Sequence, residues 1–482
     1  MAGYDFDMGI IGGGAAGLTV ASGSAQLGAK TLLVEKEPML GGDCLHFGCV
    51  PSKTLIRTAQ VYHAMTDAKA YGLPQPEIPP VDFLDVRERI RSVIGAIQRH
   101  DSVDRFCGLG VKVEFGFPVF RDEHSVLLDG KILSAKTWVI SSGSSPAVPA
   151  LKGLDSTPFL TNREIFYLER LPESMIILGG GPIGVEMAQA FCRLGTRVTL
   201  IQRSGQILPR EDRDMSEEVM SILESEGVVF HLNTTALSVK NLGREREIQL
   251  KNEEGNSFSL RAEEILIAAG RVANTEGLGL ENAGVEHDPK GIHVDQRLRT
   301  ARKHIFAAGD VIGDYQFTHA AGYEGGVVVS NAVFHLPRKT DYTLLPWCTY
   351  TDPELASIGM NEKSARAAGV DYSVWTAAFR DNDRSLAEGR GEGRIKMILG
   401  RDDKPIGVQI LGGRAGELIG EWVAVLNGKV RLSKLATAVH PYPTLGEINK
   451  KVAGDYLSPK IFSDRVRKGL KFFFNLKGRA CG

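Results

Sequence analysis

"DMGIIGGGAAG", residues 7–17, sets a short apolar run against a glycine-rich turn. Met8 to Ile11 reads as a buried strand, and the ASGSAQLGA that follows the turn reads as a helix. Between them Gly12, Gly14 and Gly17 stand at G-x-G-x-x-G spacing. Glycine is needed there for a tight turn, for backbone approach to a pyrophosphate and for close packing of helix on strand. The helix N-terminus then offers unpaired N–H groups to the phosphates. "SMIILGGGPIG", residues 174–184, repeats the design, with Met175 to Leu178 as the strand and Gly179, Gly181 and Gly184 in the turn. One such motif is a weak signal. Two, each between a strand and a helix and each followed by another strand, predict two dinucleotide sites.

The two sites differ where a ribose is read. TLLVE ends on Glu35, a carboxylate placed to accept hydrogen bonds from the ribose hydroxyls of an adenosine. At the matching distance in the second site, RVTLIQR has Gln202, and Arg203 follows. A carboxylate repels a 2′-phosphate, whereas a guanidinium binds it through charge-assisted hydrogen bonds. The second site is therefore expected to take NADPH in preference to NADH.

The bulk numbers suit a multidomain globular protein. The 482 residues allow three domains at ~150 residues each. A net charge of −1 argues against a nucleic-acid binder. Six cysteines in so long a chain make no disulfide scaffold. MAGYDFDMGIIGGG lacks the pattern of a signal peptide, and no apolar run reaches the ~18 to 20 residues of a membrane span. A soluble, cytoplasmic protein without a transmembrane segment is expected.

"GGDCLHFGCVPSK", residues 41–53, places Cys44 and Cys49 immediately before a predicted helix start at Pro51. Such a pair is compatible with a structural disulfide, half a metal site or a redox couple. In a reducing compartment the catalytic and metal-binding readings take precedence. A sulfur at a helix N-terminus has its thiolate stabilised, and the thiolate is the form that exchanges. Structural zinc needs four ligands, usually in two close pairs. Cys107, Cys192 and Cys348 stand alone and read as buried small hydrophobes, and His63, His100 and His319 get the same structural reading. No metal site is expected.

Taken in order, GGGAAG with Glu35, GGDCLHFGCVPSK, GGGPIGVE, IAAGRVANTEGLGL, HIFAAGDV and PYPTLGE give the chain its resemblance. Over nearly its whole length it resembles the class I flavin-dependent pyridine nucleotide–disulfide oxidoreductases, which include dihydrolipoamide dehydrogenase, glutathione reductase and mercuric reductase. The resemblance implies an α/β fold with two Rossmann-like dinucleotide-binding domains and a C-terminal α+β dimerisation domain. It places an FAD domain at residues 1–150 and 271–338, an NAD(P)H domain at 151–270, and the dimerisation domain with a basic tail at 340–482. SSGSSPAVPALKG (141–153) and HLPRKTDYTLLP (335–346) are the linker-like stretches at those boundaries. A homodimer holding FAD and using NADPH (or NADH) is implied.

The resemblance also assigns roles. Cys44 and Cys49 become a redox-active disulfide, with Cys49 beside the flavin and Cys44 as the interchange thiol. Lys53 pairs with Glu186 beside the flavin's reactive nitrogen, where an ammonium favours negative charge on the reduced ring. Asp310 holds the ribityl chain. Gly42, Gly143, Gly270, Arg271 and Gly309 join the glycines of the two turns, Glu35, Lys53 and Arg203 as cofactor-binding residues.

Departures from the family pattern bear on the acceptor. Asp43 and His46 replace the usual Thr and Asn beside the sulfurs, and are expected to shift their pKa values in opposite directions. Near the C-terminus the chain reads His440-Pro441-Tyr442-Pro443-Thr444-Leu445-Gly446-Glu447. Tyr442 stands where disulfide-reducing members have the histidine that acts with the acid at Glu447. A phenol of pKa ~10 is a poor base at neutral pH, where an imidazole near 6.5 is well matched. His440, two residues away, is the alternative. Pro-Tyr here resembles mercuric reductases, which also end in two adjacent cysteines, whereas this chain has the single Cys481. The basic tail KIFSDRVRKGLKFFFNLKGRACG is expected to pack along the dimer or the chain's own surface, with an anionic membrane surface as the alternative. The expectation is a mercuric-reductase-like oxidoreductase acting on a small-molecule or metal-ion acceptor. Dihydrolipoamide dehydrogenase, another disulfide reductase and a non-catalytic flavoprotein subunit are the alternatives.

Overall fold

The first glycine-rich turn joins the strand Phe6–Ile11 to the helix Ala15–Gln26, and the chain returns as the strand Thr31–Glu35. Apart from Asp7 both strands are buried throughout, because the sheet is parallel here and covered on its two faces. The computed structural model describes residues 3–478 and Ala480, so Cys481 lies outside the described residues. Two units are distinguished. The first gathers Met1–His63, Ile78–Gly205 and Gly227–Asp341, and the second Ala64–Glu77, Gln206–Glu226 and Tyr342–Gly482.

In the first unit the parallel strands run in the order Val111–Phe115, Thr31–Glu35, Phe6–Ile11, Lys131–Ile140, with Ile305–Ala307 on the far side of Lys131–Ile140. Lys131–Ile140 serves two sheets. Its first residues pair antiparallel with Ser125–Leu128, and its last six pair parallel with Phe6–Ile11. Trp138 is fully buried in this core, and a Cβ on Gly9 would come within 2.5 Å of its ring. Only a glycine at that point lets the first strand lie over the indole.

The second turn repeats the architecture. Ser174–Leu178 leads into the helix Pro182–Leu194 and back to Arg197–Ile201. Four parallel strands run in the order Val229–His231, Arg197–Ile201, Ser174–Leu178, Glu264–Ile267. Their apolar core takes in Ile248 and Leu250 from a three-stranded antiparallel sheet, Thr235–Asn241, Arg246–Lys251 and Ser257–Ala262.

The second unit is built on five antiparallel strands, in the order Trp347–Thr349, Glu354–Gly359, Pro405–Gly412, Arg394–Gly400, Tyr372–Ala378. The helices Ala415–Asn427 and Glu447–Ile461 bring Trp422, Ile448 and Val452 to its core. Lys396, on a central strand, is 2% exposed, and its ammonium lies 2.9, 2.8 and 2.6 Å from Asp212, Asp214 and Glu362. Burial disfavours that charge, but the three carboxylates outweigh it and raise the pKa. The unit is thus α+β, where the first is α/β, as expected.

Two structural expectations are corrected. Cys107 is exposed rather than buried, because the short helix Val103–Gly108 turns Phe106 inward instead, and Cys192 and Cys348 are half-buried. The tail helix Asp464–Phe474, expected to pack along the dimer or the chain's own surface, buries none of its residues within the chain. No helix among the described residues is long and apolar enough to cross a membrane.

Candidate active site

The two glycine turns have nearly the same geometry. Gly12 has φ +103° and Gly179 φ +118°, and a Cβ at either would strike a backbone carbonyl, that of Ser141 at 2.2 Å or Ala268 at 2.3 Å. At Gly17 and Gly184 a Cβ would lie 1.9 Å from the carbonyl oxygen of Gly12 and Gly179 respectively, so each helix presses on its own turn. Neither helix has a side-chain cap at Gly14 or Gly181. Those N-termini keep N–H groups for an anion. Glu35 is buried; Gly13 N–H donates to its Oε2 at 2.6 Å and Glu37 N–H to its Oε1 at 2.8 Å. Each oxygen keeps a lone pair for a ribose hydroxyl. In the second turn Gly180 N–H donates to Gln202 Oε1 at 2.9 Å, and Gln202 Nε2 donates to Ser204 Oγ at 2.6 Å. Arg203 beside them is exposed.

Cys44 lies in the short helix Gly42–His46, and Cys49 opens the helix Cys49–Thr66. Both are free thiols, hydrogen-bonded to each other. The bond from Cys44 is the main reason that the Cys49 pKa falls to about 6, against the opposing effect of burial. Thr318 Oγ1, 3.3 Å from Cys49 Sγ, and the charge of Lys53 lower it further, while Glu186 raises it. Cys44 is pushed up, first by its bond to Cys49 and then by burial and the charge of Cys49. The pair thus shares its protons unequally, with Cys49 drawn toward the thiolate and Cys44 toward the protonated form. Lys53 Nζ donates to Glu186 Oε2 at 2.8 Å, with Glu186 side chain 5% exposed.

Asp43 and His46 act differently from expectation. Neither is among the main influences on Cys49. Asp43 accepts from Asn162 Nδ2 at 3.2 Å and pairs with Arg271 at 2.9 Å, and the His46 ring contacts the carbonyl of Leu40 at 2.9 Å. Their polar atoms are engaged by protein groups rather than by the sulfurs. Arg271 Nε also donates to Ser144 Oγ at 2.6 Å and lies 3.6 Å from Asp310. Ser144 Oγ in turn donates to Asp310 Oδ2 at 2.5 Å. Burial pushes the Asp310 carboxyl up; the Ser144 bond and Arg271 pull it back. Gly309 N–H donates to the fully buried Glu324 at 2.6 Å, fixing the end of the Ile305–Ala307 strand.

Sequence reasoning missed Thr318, Ser144, Asn162 and Glu324. Only Glu324 carries a signal: it is the lone acid of the run HAAGYEGGVVV. The rest reach the site across 115 or more residues of chain.

In the second unit Tyr442 is exposed, and its hydroxyl donates to Asp383 Oδ2 at 2.8 Å. That carboxylate raises the phenol's pKa, so Tyr442 is still less able to act as a base. Glu447, expected as its partner, opens the helix Glu447–Ile461 and takes a long bond of 3.4 Å from Thr444 N–H. His440 Nε2 lies 3.0 Å from Glu421 Oε1, and Asn449 Nδ2 holds the other oxygen of Glu421 at 2.9 Å.

The chain fits both nucleotides. The carboxylate anchored at the first turn, the two uncapped helix starts and the open space beside Gly143, Gly181 and Gly270, where a Cβ would meet nothing within 4 Å, are the cradle a dinucleotide fills. Gly42 closes against Gly14, where a Cβ would come within 2.8 Å of the Gly14 Cα.

Comparison with known proteins gives two family matches. Residues 6–325 match the family model described as pyridine nucleotide-disulphide oxidoreductase, and residues 345–453 match its dimerisation domain. A dihydrolipoyl dehydrogenase of Bacillus subtilis (strain 168) is 34% identical over 458 residues, covering 92% of this chain and 96% of its own length. A mercuric reductase of Streptomyces lividans is 33% identical over 460 residues, covering 94% and 96%. Among solved structures, the HOCl-induced flavoprotein disulfide reductase RclA from Escherichia coli, as a Cu(II) complex, has a TM-score of 0.83 at 28% identity, covering 93% of this chain and 99% of its own.

Proposed function

Because the chain belongs to the pyridine nucleotide-disulphide oxidoreductase family, we propose that it passes electrons from NADPH through Cys44 and Cys49 to a thiophilic metal ion. FAD supplies two-electron transfer between the nicotinamide and the cysteine pair when bound. Cys49 keeps a thiolate at neutral pH, and Cys44 meets the incoming cation, exchanging its proton for a metal–sulfur bond. Lys53, held by Glu186, places positive charge beside the thiolate. The assembled pair and the Lys53–Glu186 bridge favour an enzyme over a non-catalytic subunit. Arg203 is the group proposed to read the 2′-phosphate. The domain limits proposed are 1–150 with 271–338 for FAD, 151–270 for NADPH and 340–482 for dimerisation, and the working form is a homodimer.

One observation carries the choice of acceptor. Tyr442, where relatives acting on disulfides need a base, is a phenol bound to the Asp383 carboxylate. A dithiol substrate must lose protons to such a base, whereas a soft cation needs only thiolates. The Cu(II) complex of the RclA structure and the mercuric reductase among the relatives favour the same class of acceptor.

An acceptor panel tests the reading: Hg(II) with excess thiol, Cu(II) without added thiol, lipoamide, glutathione disulfide, quinones and oxygen, each with NADPH and with NADH. Metal-dependent NADPH oxidation is expected to exceed the rest. Efficient turnover of lipoamide or glutathione disulfide overturns it in favour of a second reading. That reading, a disulfide oxidoreductase, is favoured by the His440–Glu421 contact, an imidazole oriented by a carboxylate. In that case His440→Gln abolishes dithiol turnover and Tyr442→Phe leaves it intact.

A further inference from the structure

The helix Asp464–Phe474 lies beyond residue 453, where the match to the dimerisation domain ends. Ser463 starts it, accepting a hydrogen bond from Val466 N–H. At helical spacing Val466, Leu470, Phe473 and Phe474 fall on one face. They are 38%, 40%, 76% and 69% exposed. Arg465, Arg467, Lys468 and Lys471 share the rest of the surface with Gly469 and the exposed Phe472, and Asp464 is the one acid of the helix. Phe462 before the helix and Leu476 after it are exposed as well. An apolar face that the chain itself leaves exposed marks an interaction surface.

Charge selects the occupant. A second copy of this helix would bring two sets of four cations together, and like charges oppose such pairing. An anionic phospholipid surface complements them. A helix with cations on its polar face and aromatic and aliphatic side chains opposite lies in the plane of a membrane interface. We propose that Asp464–Phe474 docks this protein peripherally on an anionic phospholipid surface. Val466, Leu470, Phe473 and Phe474 enter the acyl boundary, and Arg465, Arg467, Lys468 and Lys471 stay among the headgroups. This inference is independent of the electron acceptor.

Flotation of the full-length flavoprotein tests it, with phosphatidylcholine vesicles with and without phosphatidylglycerol, at roughly 0.1 M and 1 M salt. Co-flotation is expected only with phosphatidylglycerol and at low salt. Phe473→Asp combined with Phe474→Asp should abolish it. Lys468→Glu combined with Lys471→Glu should weaken it by at least about 25-fold, at about fivefold for each cation lost. Both variants should oxidise NADPH with a soluble acceptor as the unaltered protein does. Failure to float, or equal flotation on phosphatidylcholine alone, overturns the proposal. So does a drop in oligomeric mass for the Phe473→Asp, Phe474→Asp variant with no flotation by the parent, which makes the face an interface between copies.

Discussion

The two glycine turns use the same backbone for different electrostatics. In each, the N–H of the middle glycine donates to the side chain closing the next strand: Gly13 to Glu35 and Gly180 to Gln202. The first turn ends in a buried anion, the second in a neutral amide with an exposed guanidinium beside it. The second helix also carries a buried acid, Glu186, two residues past its last turn glycine. The corresponding residue of the first helix is Thr19, whose hydroxyl donates to its own helix at Ala15 O. The backbone of the motif is therefore the same in both turns, and the two differ in the side chains set around it.

The comparison breaks most completely at the shared glycines. Gly184→Val forces a Cβ against the Gly179 carbonyl, so the purified variant should stay yellow but no longer be bleached by NADPH. Gly17→Val should yield colourless protein, because there the same collision is in the FAD turn. Absorption spectra before and after NADPH separate the two outcomes. Retained bleaching in Gly184→Val would show that the second turn is not the donor site.

Next in size is the thiol that both nucleotides serve. Two-electron reduction should give a long-wavelength thiolate-to-flavin band that Cys49→Ser removes, whereas Cys44→Ser should retain a thiolate and show the band without reductant. The lowered pKa of Cys49 sets the pH window. The band should be full well above pH 6 and fade as pH falls through about 6, because the thiolate then takes up its proton. A pH-independent band would place the charge elsewhere.

A smaller effect is expected at the adenosine ends. Arg203→Ala should weaken NADPH by about 10- to 150-fold and leave NADH nearly unchanged, the range of a lost charge-assisted hydrogen bond of roughly 1.5 to 3 kcal/mol. Gln202→Glu, which gives the second turn the acid of the first, should shift preference in the same direction. The smallest effect belongs to the converse exchange. Glu35→Gln keeps an acceptor for Gly13 N–H while setting its amide NH2 against Glu37 N–H, and should cost FAD affinity about tenfold, measured by release of the flavin on dilution.

What the sequence made legible was what spacing alone carries. Both turns, the contrast of Glu35 with Gln202 and Arg203, and the cysteine pair at a helix start are written within short segments. The Lys53–Glu186 bridge, by contrast, came from the family resemblance. Asp43 and His46 were misjudged because proximity along the chain is not proximity of polar atoms. Asp43 is taken up by Asn162 and Arg271, and His46 by a backbone carbonyl. Tyr442 could be identified as a poor base from its chemistry, but Asp383, which makes it poorer, stands 59 residues away with no pattern to link the two. The exposure of Cys107 escaped for a similar reason: in a single short turn, Phe106 takes the inward position.

The Lys53–Glu186 contact sets a limit on how freely this architecture can be recombined. One end belongs to the helix that bears Cys49, the other to the first turns of the second nucleotide helix. The two nucleotide halves look like interchangeable modules, but the proton affinity of the sulfur is shared across the seam, with Lys53 lowering it and Glu186 raising it. A graft that replaced residues 151–270 with a homologous segment lacking that acid would shift the thiol more acidic without touching any residue near it in sequence. The helix that carries Glu186 thus sets part of the chemistry of a sulfur far from it in sequence, and the two must change together.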